Sequence, residues 1–204
     1  MYAVHTTQGF VIGSRPSGEA GKLLSIFTKD FGLILASAQG IRFEKSKLRP
    51  FVQDYSRGVF SFVRGKEFWR LTNAQELEKS KEAEKQSVKN EGAIVSNDAR
   101  ELVVRVSSLL NRLLQGEEAH PELFVTLDSL FHFLDLHDEY EYINTLESLI
   151  VIRILHRLGY IGNIPEFALR IESDNVDVPL LHSLRDSRQT LNQHINRALR
   201  ESHL

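Results

Sequence analysis

The chain has 204 residues, 42% of them hydrophobic and 25% charged, which is the mixture of an ordinary globular protein. It contains no cysteine, and this excludes disulfides, iron–sulfur clusters, thiol catalysis and cysteine-ligated zinc. The first residues lack the basic region and apolar core of a signal peptide, and no apolar run approaches the roughly 20 residues that cross a bilayer. The sequence therefore predicts a cytoplasmic protein that does not contact membranes.

The two parts of the chain differ in charge. Residues 1–72 hold eleven Lys/Arg and five Asp/Glu, a net charge of +6. Residues 73–204 hold fourteen Lys/Arg and twenty-two Asp/Glu, a net charge of −8. Such an asymmetry indicates two units with different partners. The basic unit is the candidate for binding a polyanion, because Lys and Arg contacts to phosphates release counterions.

The first 77 residues are typical of short strands. Residues 7–13 are apolar and β-rich, and they end at the turn signal Arg15–Gly18. Further β-rich segments follow at residues 22–28, 33–38, 59–63 and 68–72. Five such segments without a helical period favour a small closed barrel, because closure leaves no exposed strand edge. We predict this β domain over residues 1–77.

Beyond residue 77 the pattern becomes helical. Residues 78–97 are charged and polar, as in a tether or a frayed helix. Apolar residues at helical spacing then predict a helix with Asp98 as its N-cap, a second opened by Pro121, and a third ended by Gly159. Residues 161–179 are expected to be irregular, and residues 180–184 and 190–199 add one or two short helices. The sequence thus predicts a two-domain chain, β then α, with an all-α bundle over residues 78–204.

Catalytic motifs are missing. The loop Gly13–Gly18 resembles the start of a P-loop, but Glu19 occupies the position of the required lysine. Shifting the frame to Gly21–Lys22 leaves no hydroxyl at the magnesium-binding position. His132 and His137 are five residues apart, so on a helix they do not share a face as two metal ligands would. The sequence predicts no catalytic residue, no cofactor and no metal site, and we do not expect an enzyme.

Two groups of basic residues carry the functional signal. Four cations surround Phe43 in residues 39–49, and three accompany Phe68 and Trp69 in residues 64–70. Proteins bind single-stranded nucleic acid with cations that follow the phosphates and with rings on which bases stack. Neighbouring strand residues point to opposite faces, so at least one of Phe68 and Trp69 is expected in the core. The candidate nucleic-acid-binding residues are Arg42, Lys45, Lys47 and Arg49, followed in rank by Arg64, Lys66 and Arg70.

A series of strings in residues 8–76 keeps a distinctive order and spacing. They are Gly9–Ile12, Gly18–Thr28, Phe31–Gly32, Ala38–Arg42, Lys45–Arg49, Arg64–Lys66 and Trp69–Leu71. Weaker landmarks lie at residues 120–124 and 155–160. Together they resemble the bacterial RecO family of recombination mediators. The resemblance implies an N-terminal OB-fold followed by a helical domain, and it implies that the basic residues bind DNA.

The resemblance also implies a function in DNA repair and homologous recombination at the bacterial nucleoid. It implies binding of single- and double-stranded DNA, annealing of complementary strands, and loading of the recombinase, in concert with RecR, on strands coated by single-strand-binding protein. Many relatives carry a four-cysteine zinc site after the Leu-Gly-Tyr landmark at residues 158–160. This chain has no cysteine, so we expect that site to be absent and its loop to be rebuilt or shortened.

A further implication is that the acidic, phenylalanine-ending tail of single-strand-binding protein docks on the helical bundle. Such a tail needs an apolar slot for its ring and a cation for its terminal carboxylate. Arg153 and Arg157 are four residues apart on the predicted third helix and flank apolar residues, so they are the candidate partner-binding residues. The alternative is that they pair with helix acids such as Glu147 and Glu141.

The residues alone leave other functions open. A single-stranded RNA-binding OB protein is one, because stacking and phosphate contacts tolerate both sugars. An adaptor whose basic loop binds an acidic protein tail is another, and a nuclease with a dispersed acidic metal site is a third.

Overall fold

The computed structural model describes residues 3–77, 96–137 and 141–202. The chain divides into two compact units, one of Met1–Glu78 with Ser107–Pro121 and the other of Lys79–Val106 with Glu122–Leu204. The sequence-based division at residue 77 did not include the segment Ser107–Pro121 in the β unit. Nearly all of the predicted tether, residues 78–97, lies outside the described residues.

The first unit contains a closed barrel of five strands. Their bounds are β1 Val4–Ser17, β2 Gly21–Thr28, β3 Gly32–Ala38, β4 Arg57–Val63 and β5 Trp69–Glu76. The strands neighbour one another in the order β1-β2-β3-β5-β4, and β4 pairs back onto β1. Every pair is antiparallel except β3 with β5, which is parallel. The predicted fold class, an OB-like barrel followed by helices, is confirmed.

Strand β1 closes the barrel because it is long enough to pair with two strands. Its first half pairs with β4 and its second half with β2, and a register shift between Val11 and Gly13 marks a bulge that bends it. Side chains alternate along each strand, so that one apolar face fills the interior, with Phe60, Phe62 and Trp69 among its largest members. The sequence predicted only residues 7–13 of this strand, because polar residues flank the apolar run.

Six α-helices occur in the described residues. Their bounds are α1 Asn97–Leu113, α2 Pro121–Leu136, α3 Ile143–Arg157, α4 Ala168–Glu172, α5 Val178–Leu184 and α6 Arg188–Glu201. Pro121 opens α2 as predicted, and Gly159 follows α3 with a φ of 79° that suits a helix end. The predicted N-cap of α1, Asp98, is wrong. The Ser96 hydroxyl accepts a hydrogen bond from the Ala99 N–H at 3.2 Å, and Asp98 lies in the first turn, where its charge favours the helix dipole.

Helix α3 is the centre of the second unit. Nine of its fifteen residues are buried, including Leu146, Ile150 and Ile154, and it packs mainly against α6. The segment predicted to be irregular, residues 161–179, contains the short helix α4 and the first residues of α5. Helix α3 itself carries the two buried arginines described below.

Candidate nucleic-acid interface

The connection between β3 and β4, residues 39–56, carries the first basic group and is called the basic segment below. Ile41 and Val52 are buried in the barrel core, and Leu48 and Phe51 pack against that core. The Arg42 backbone N–H donates to the Ala20 carbonyl at 3.0 Å, which ties the segment to the β1–β2 turn. Because these four apolar residues face the core, the segment presents its cations to solvent. The exposed cations are Arg42, Lys45, Lys47 and Arg49.

The second basic group lies at the junction of β4 and β5. Arg64 and Lys66 are exposed in the connection between these strands, and Arg70 is exposed on β5. The sheet register pairs Arg70 with Val63 at the end of β4 and with Ser37 near the end of β3. The basic segment leaves the barrel at the end of β3. The register therefore places Arg70 next to the strand ends from which both basic groups depart.

Arg64 is a cation whose charge is already compensated. Its guanidinium forms an ion pair with the Glu117 carboxylate and lies over the Trp69 ring, 4.7 Å from the ring centroid. The Trp69 indole N–H donates to the other oxygen of the same carboxylate at 3.0 Å. Glu117 therefore holds Arg64 and Trp69 together. Sequence analysis missed this residue because the contact joins positions that are far apart in the chain and no local pattern connects them.

The other six predicted cations form no ion pair with any described residue. Arg42 donates to the carbonyl oxygen of Glu19 at 3.2 Å, a bond that leaves its positive charge uncompensated. Glu44 and Glu67 interrupt the two groups in the sequence, and both are exposed. A group of exposed cations without counter-charges attracts phosphates.

The aromatic residues of the two basic groups have different environments. Trp69 is 4% exposed and belongs to the barrel core, which confirms that at least one ring of the Phe68–Trp69 pair is interior. Phe68 is 38% exposed, and Phe43 is 64% exposed in the middle of the basic segment. An exposed ring among cations is available for stacking on an unpaired base.

The slot predicted at Arg153 and Arg157 is not formed. Arg153 is completely buried, and its Nε and Nη2 donate to the Arg170 carbonyl at 3.0 and 2.7 Å. Nη2 also donates to the Asn175 carbonyl at 2.9 Å. Burial, and after it the neighbouring charge of Arg157, lowers the pKa of Arg153 to about 10. Arg153 therefore fastens the segment after α3 and is not accessible to a carboxylate from solution.

Arg157 is similarly engaged, with a side chain that is 6% exposed. Its partners are the carbonyl of Glu122, the hydroxyl of Thr126 and the carboxylate of Asp174. The alternative pairing predicted for these arginines is wrong as well, because Glu147 pairs with Arg105 and Glu141 with Arg185. We assign no partner binding to Arg153 or Arg157.

Two histidines of the helical unit make contacts within the protein. His137 stacks on Phe133 with ring centroids 4.2 Å apart, and a ring nitrogen of His156 lies 3.1 Å from the Ile161 carbonyl oxygen. In the part of the chain that the structure describes, no three metal-ligating side chains come together. No helix in that part is long and apolar enough to span a membrane.

The strand order and the cationic connections define an OB-like domain with a basic surface. Residues 1–79 match the family model "Recombination protein O N terminal". Curated relatives named DNA repair protein RecO match beyond that domain. The barrel domain is therefore similar to the N-terminal domain of the RecO family, and most of the chain is similar to proteins named DNA repair protein RecO.

Three of these relatives illustrate the match. The protein of Halalkalibacterium halodurans is 24% identical over 187 residues, which is 90% of this chain and 66% of the relative. That of Heliobacterium modesticaldum is 27% identical over 169 residues, covering 83% of this chain and 55% of the relative. That of Alkaliphilus metalliredigens is 38% identical over 72 residues, 35% of this chain and 29% of the relative. The chain thus spans between half and two thirds of the length of the first two relatives.

Proposed function

We propose that this chain is a non-enzymatic protein of DNA repair and homologous recombination that binds DNA through its barrel. The observation that carries the proposal is the construction of the basic segment. Residues buried in the core hold it on the barrel, while its four cations are exposed and unpaired among the described residues. The relatives named DNA repair protein RecO support the repair function.

The proposed mechanism is electrostatic. Contacts between cations and phosphates carry no base information, so the surface binds single and double strands of any sequence. The same cations screen the repulsion between two phosphate backbones, which allows complementary strands to approach and anneal. Lys66 in the β4–β5 connection and Arg70 on β5 extend the surface, whereas Arg64 contributes only when it is released from Glu117.

The proposal includes partners of the recombination reaction. Loading of the recombinase, together with RecR, on strands coated by single-strand-binding protein is proposed from the similarity to the RecO family. The acidic part of the chain, residues 73–204 with a net charge of −8, repels DNA and is the candidate partner surface. The tail of single-strand-binding protein is proposed to dock there at a position other than the buried Arg153 and Arg157.

The test is neutralisation of the basic segment. Changing Arg42, Lys45, Lys47 and Arg49 to Gln together should weaken binding of single-stranded oligonucleotides equally for all sequences. The plot of log affinity against log salt should flatten by about 3 units, since each lost single-strand phosphate contact removes about 0.7. Annealing of complementary oligonucleotides coated with the cognate single-strand-binding protein should slow in parallel.

The matched control removes the same charge from the second unit. Its exposed arginines Arg185, Arg188, Arg197 and Arg200, changed to Gln, should leave the salt dependence nearly unaltered. An unchanged slope in a folded variant of the basic segment would reject that segment as the DNA surface. Equal affinity for RNA without annealing would favour an RNA-binding protein, and magnesium-dependent cleavage by the purified chain would favour a nuclease. Binding of an acidic peptide in preference to DNA would favour an adaptor.

A further inference from the structure

A cavity of about 250 Å³ lies where the barrel meets the basic segment. Its lining residues are Lys22, Ile41, Arg42, Arg49, Val52 and Gln53. Ile41 and Val52 belong to the barrel core and form an apolar floor. The polar lining consists of three cations and one amide, with no carboxylate among the described residues. A concave site with this charge suits an anion.

Lys22 is the unexpected member of this lining. It lies on β2 opposite Ala38, and the core residue Leu24 is two positions further along the strand. Since side chains two apart share a face, Lys22 belongs to the inner face of the barrel at its open end. It is half-buried, donates to the Ser14 hydroxyl at 3.2 Å, and forms no ion pair with a described residue. A partly desolvated cation is costly without a counter-charge, and a bound anion would supply one.

Three separate elements bring the cations together. Lys22 comes from β2, Arg42 from the start of the basic segment, and Arg49 from the 3₁₀ helix Arg49–Val52. The Gln53 amide donates to the Arg49 carbonyl at 2.5 Å and so fastens the end of that helix. Convergence of forked guanidinium groups and an ammonium is the usual chemistry of phosphate recognition. The cavity has room for a phosphate group, and its three cations are the groups that would hold it.

We propose that this cavity is a discrete phosphate-binding pocket that holds one phosphate group of a nucleic-acid strand, with Lys22 as its ligand from the barrel wall. The inference rests on the proposed DNA binding and refines it, because the pocket defines one specific position on the basic surface at which a phosphate binds. The phosphate is either a strand terminus or an internal phosphate, and the two share the same chemistry.

The test compares Lys22→Gln with Lys29→Gln. Lys29 is an exposed lysine in the β2–β3 turn, so the control removes the same charge outside the cavity. Each full-length protein is titrated with a 5′-phosphorylated and a 5′-hydroxyl oligonucleotide over a range of salt concentrations. Each is also titrated with inorganic phosphate, monitored by NMR of the protein amides. Arg49→Gln serves as a second pocket variant, and thermal unfolding verifies that every variant is folded.

We expect Lys22→Gln and Arg49→Gln to abolish the amide shifts caused by phosphate, and Lys29→Gln to preserve them. If the pocket takes a strand terminus, the parent protein binds the 5′-phosphorylated strand more tightly, and only the pocket variants lose that preference. If it takes an internal phosphate, both strands bind equally, and Lys22→Gln lowers the salt slope by about 0.7 while Lys29→Gln does not. Identical behaviour of Lys22→Gln and Lys29→Gln in all titrations would overturn the pocket. Failure of the parent protein to bind either strand, with phosphate binding intact, would instead overturn the proposed DNA function.

Discussion

The contact between Arg64 and Glu117 leads to a prediction of increased DNA affinity. Glu117 neutralises a cation on the proposed DNA surface, and its carboxylate accepts bonds from both Arg64 and the Trp69 indole. Glu117→Gln removes the negative charge but keeps a carbonyl oxygen that can accept the Trp69 bond. Arg64 is then free to contact a phosphate. We expect the variant to bind single-stranded DNA more tightly than the parent protein.

The magnitude follows from counterion release. One additional contact to a single-strand phosphate steepens the plot of log affinity against log salt by about 0.7. If the variant and the parent protein bind equally at 1 M salt, the variant therefore binds DNA about fivefold more tightly at 0.1 M salt. The cost to folding is small. The Arg64 and Glu117 side chains are 62% and 38% exposed, and an exposed ion pair contributes about 0–1 kcal/mol to the free energy of unfolding. Fluorescence anisotropy of a labelled oligonucleotide at several salt concentrations measures both the gain and the slope.

The neighbouring residue Glu118 provides the matched control. Glu118→Gln removes the same charge one position away, where no ion pair with Arg64 is broken. Its gain should stay below about twofold, because an exposed charge outside such a contact is largely screened by salt. In an Arg64→Gln background, Glu117→Gln should have no effect. Equal gains from both glutamates, or a gain that survives without Arg64, would refute competition between the carboxylate and DNA.

Three further predictions test other parts of the molecule. Phe43→Ala should weaken single-strand binding by about 1 kcal/mol or more, roughly fivefold, because a stacking platform is lost. The salt slope should not change, and an equal loss for duplex DNA would argue against stacking. Arg153→Lys should lower the free energy of unfolding by about 2–4 kcal/mol in urea, since an ammonium cannot replace the guanidinium fork on two buried carbonyls. An unaltered urea midpoint would contradict this. Gly32→Ala should lower the thermal stability of the protein far more than Gly18→Ala. Both glycines have a positive φ, but only at Gly32 would an added Cβ lie 1.9 Å from the backbone oxygen of Glu118. Equal losses in thermal unfolding would show that the backbone conformation alone matters.

The barrel was predictable because its signals are local. Apolar alternation and turn residues located every strand to within a few residues, and the Lys29–Gly32 turn separates β2 from β3 as expected. Strand β1 was underestimated because its ends are polar and are held in the sheet by pairing with β2 and β4. The segment Ser107–Pro121 belongs with the barrel for a similar reason. The Asn111 amide donates to the Ile12 carbonyl at 2.9 Å, a contact between distant positions that no local pattern reveals.

The candidate site was predictable in its charges and not in its geometry. Composition identified the cations of the basic segment, and their exposure follows from the core residues that flank them, Ile41 and Val52. Lys22 was not among the predicted nucleic-acid-binding residues, since its position on the inner face depends on the strand register. Glu117 was missed because its partners, Arg64 and Trp69, are distant in the sequence and come close to it only in the folded protein.

The two buried arginines show why charge pattern alone misled the prediction for the helical unit. A cation on a helix face normally lies in water, and the spacing of Arg153 and Arg157 fits a surface slot as well as an interior contact. The segment after α3 decides between them. It is irregular over much of its length, so its carbonyls need partners that regular structure does not supply. Arg153 bonds the carbonyls of Arg170 and Asn175, and Arg157 pairs with Asp174. These guanidinium groups therefore connect the segment after α3 to the central helix of the second unit.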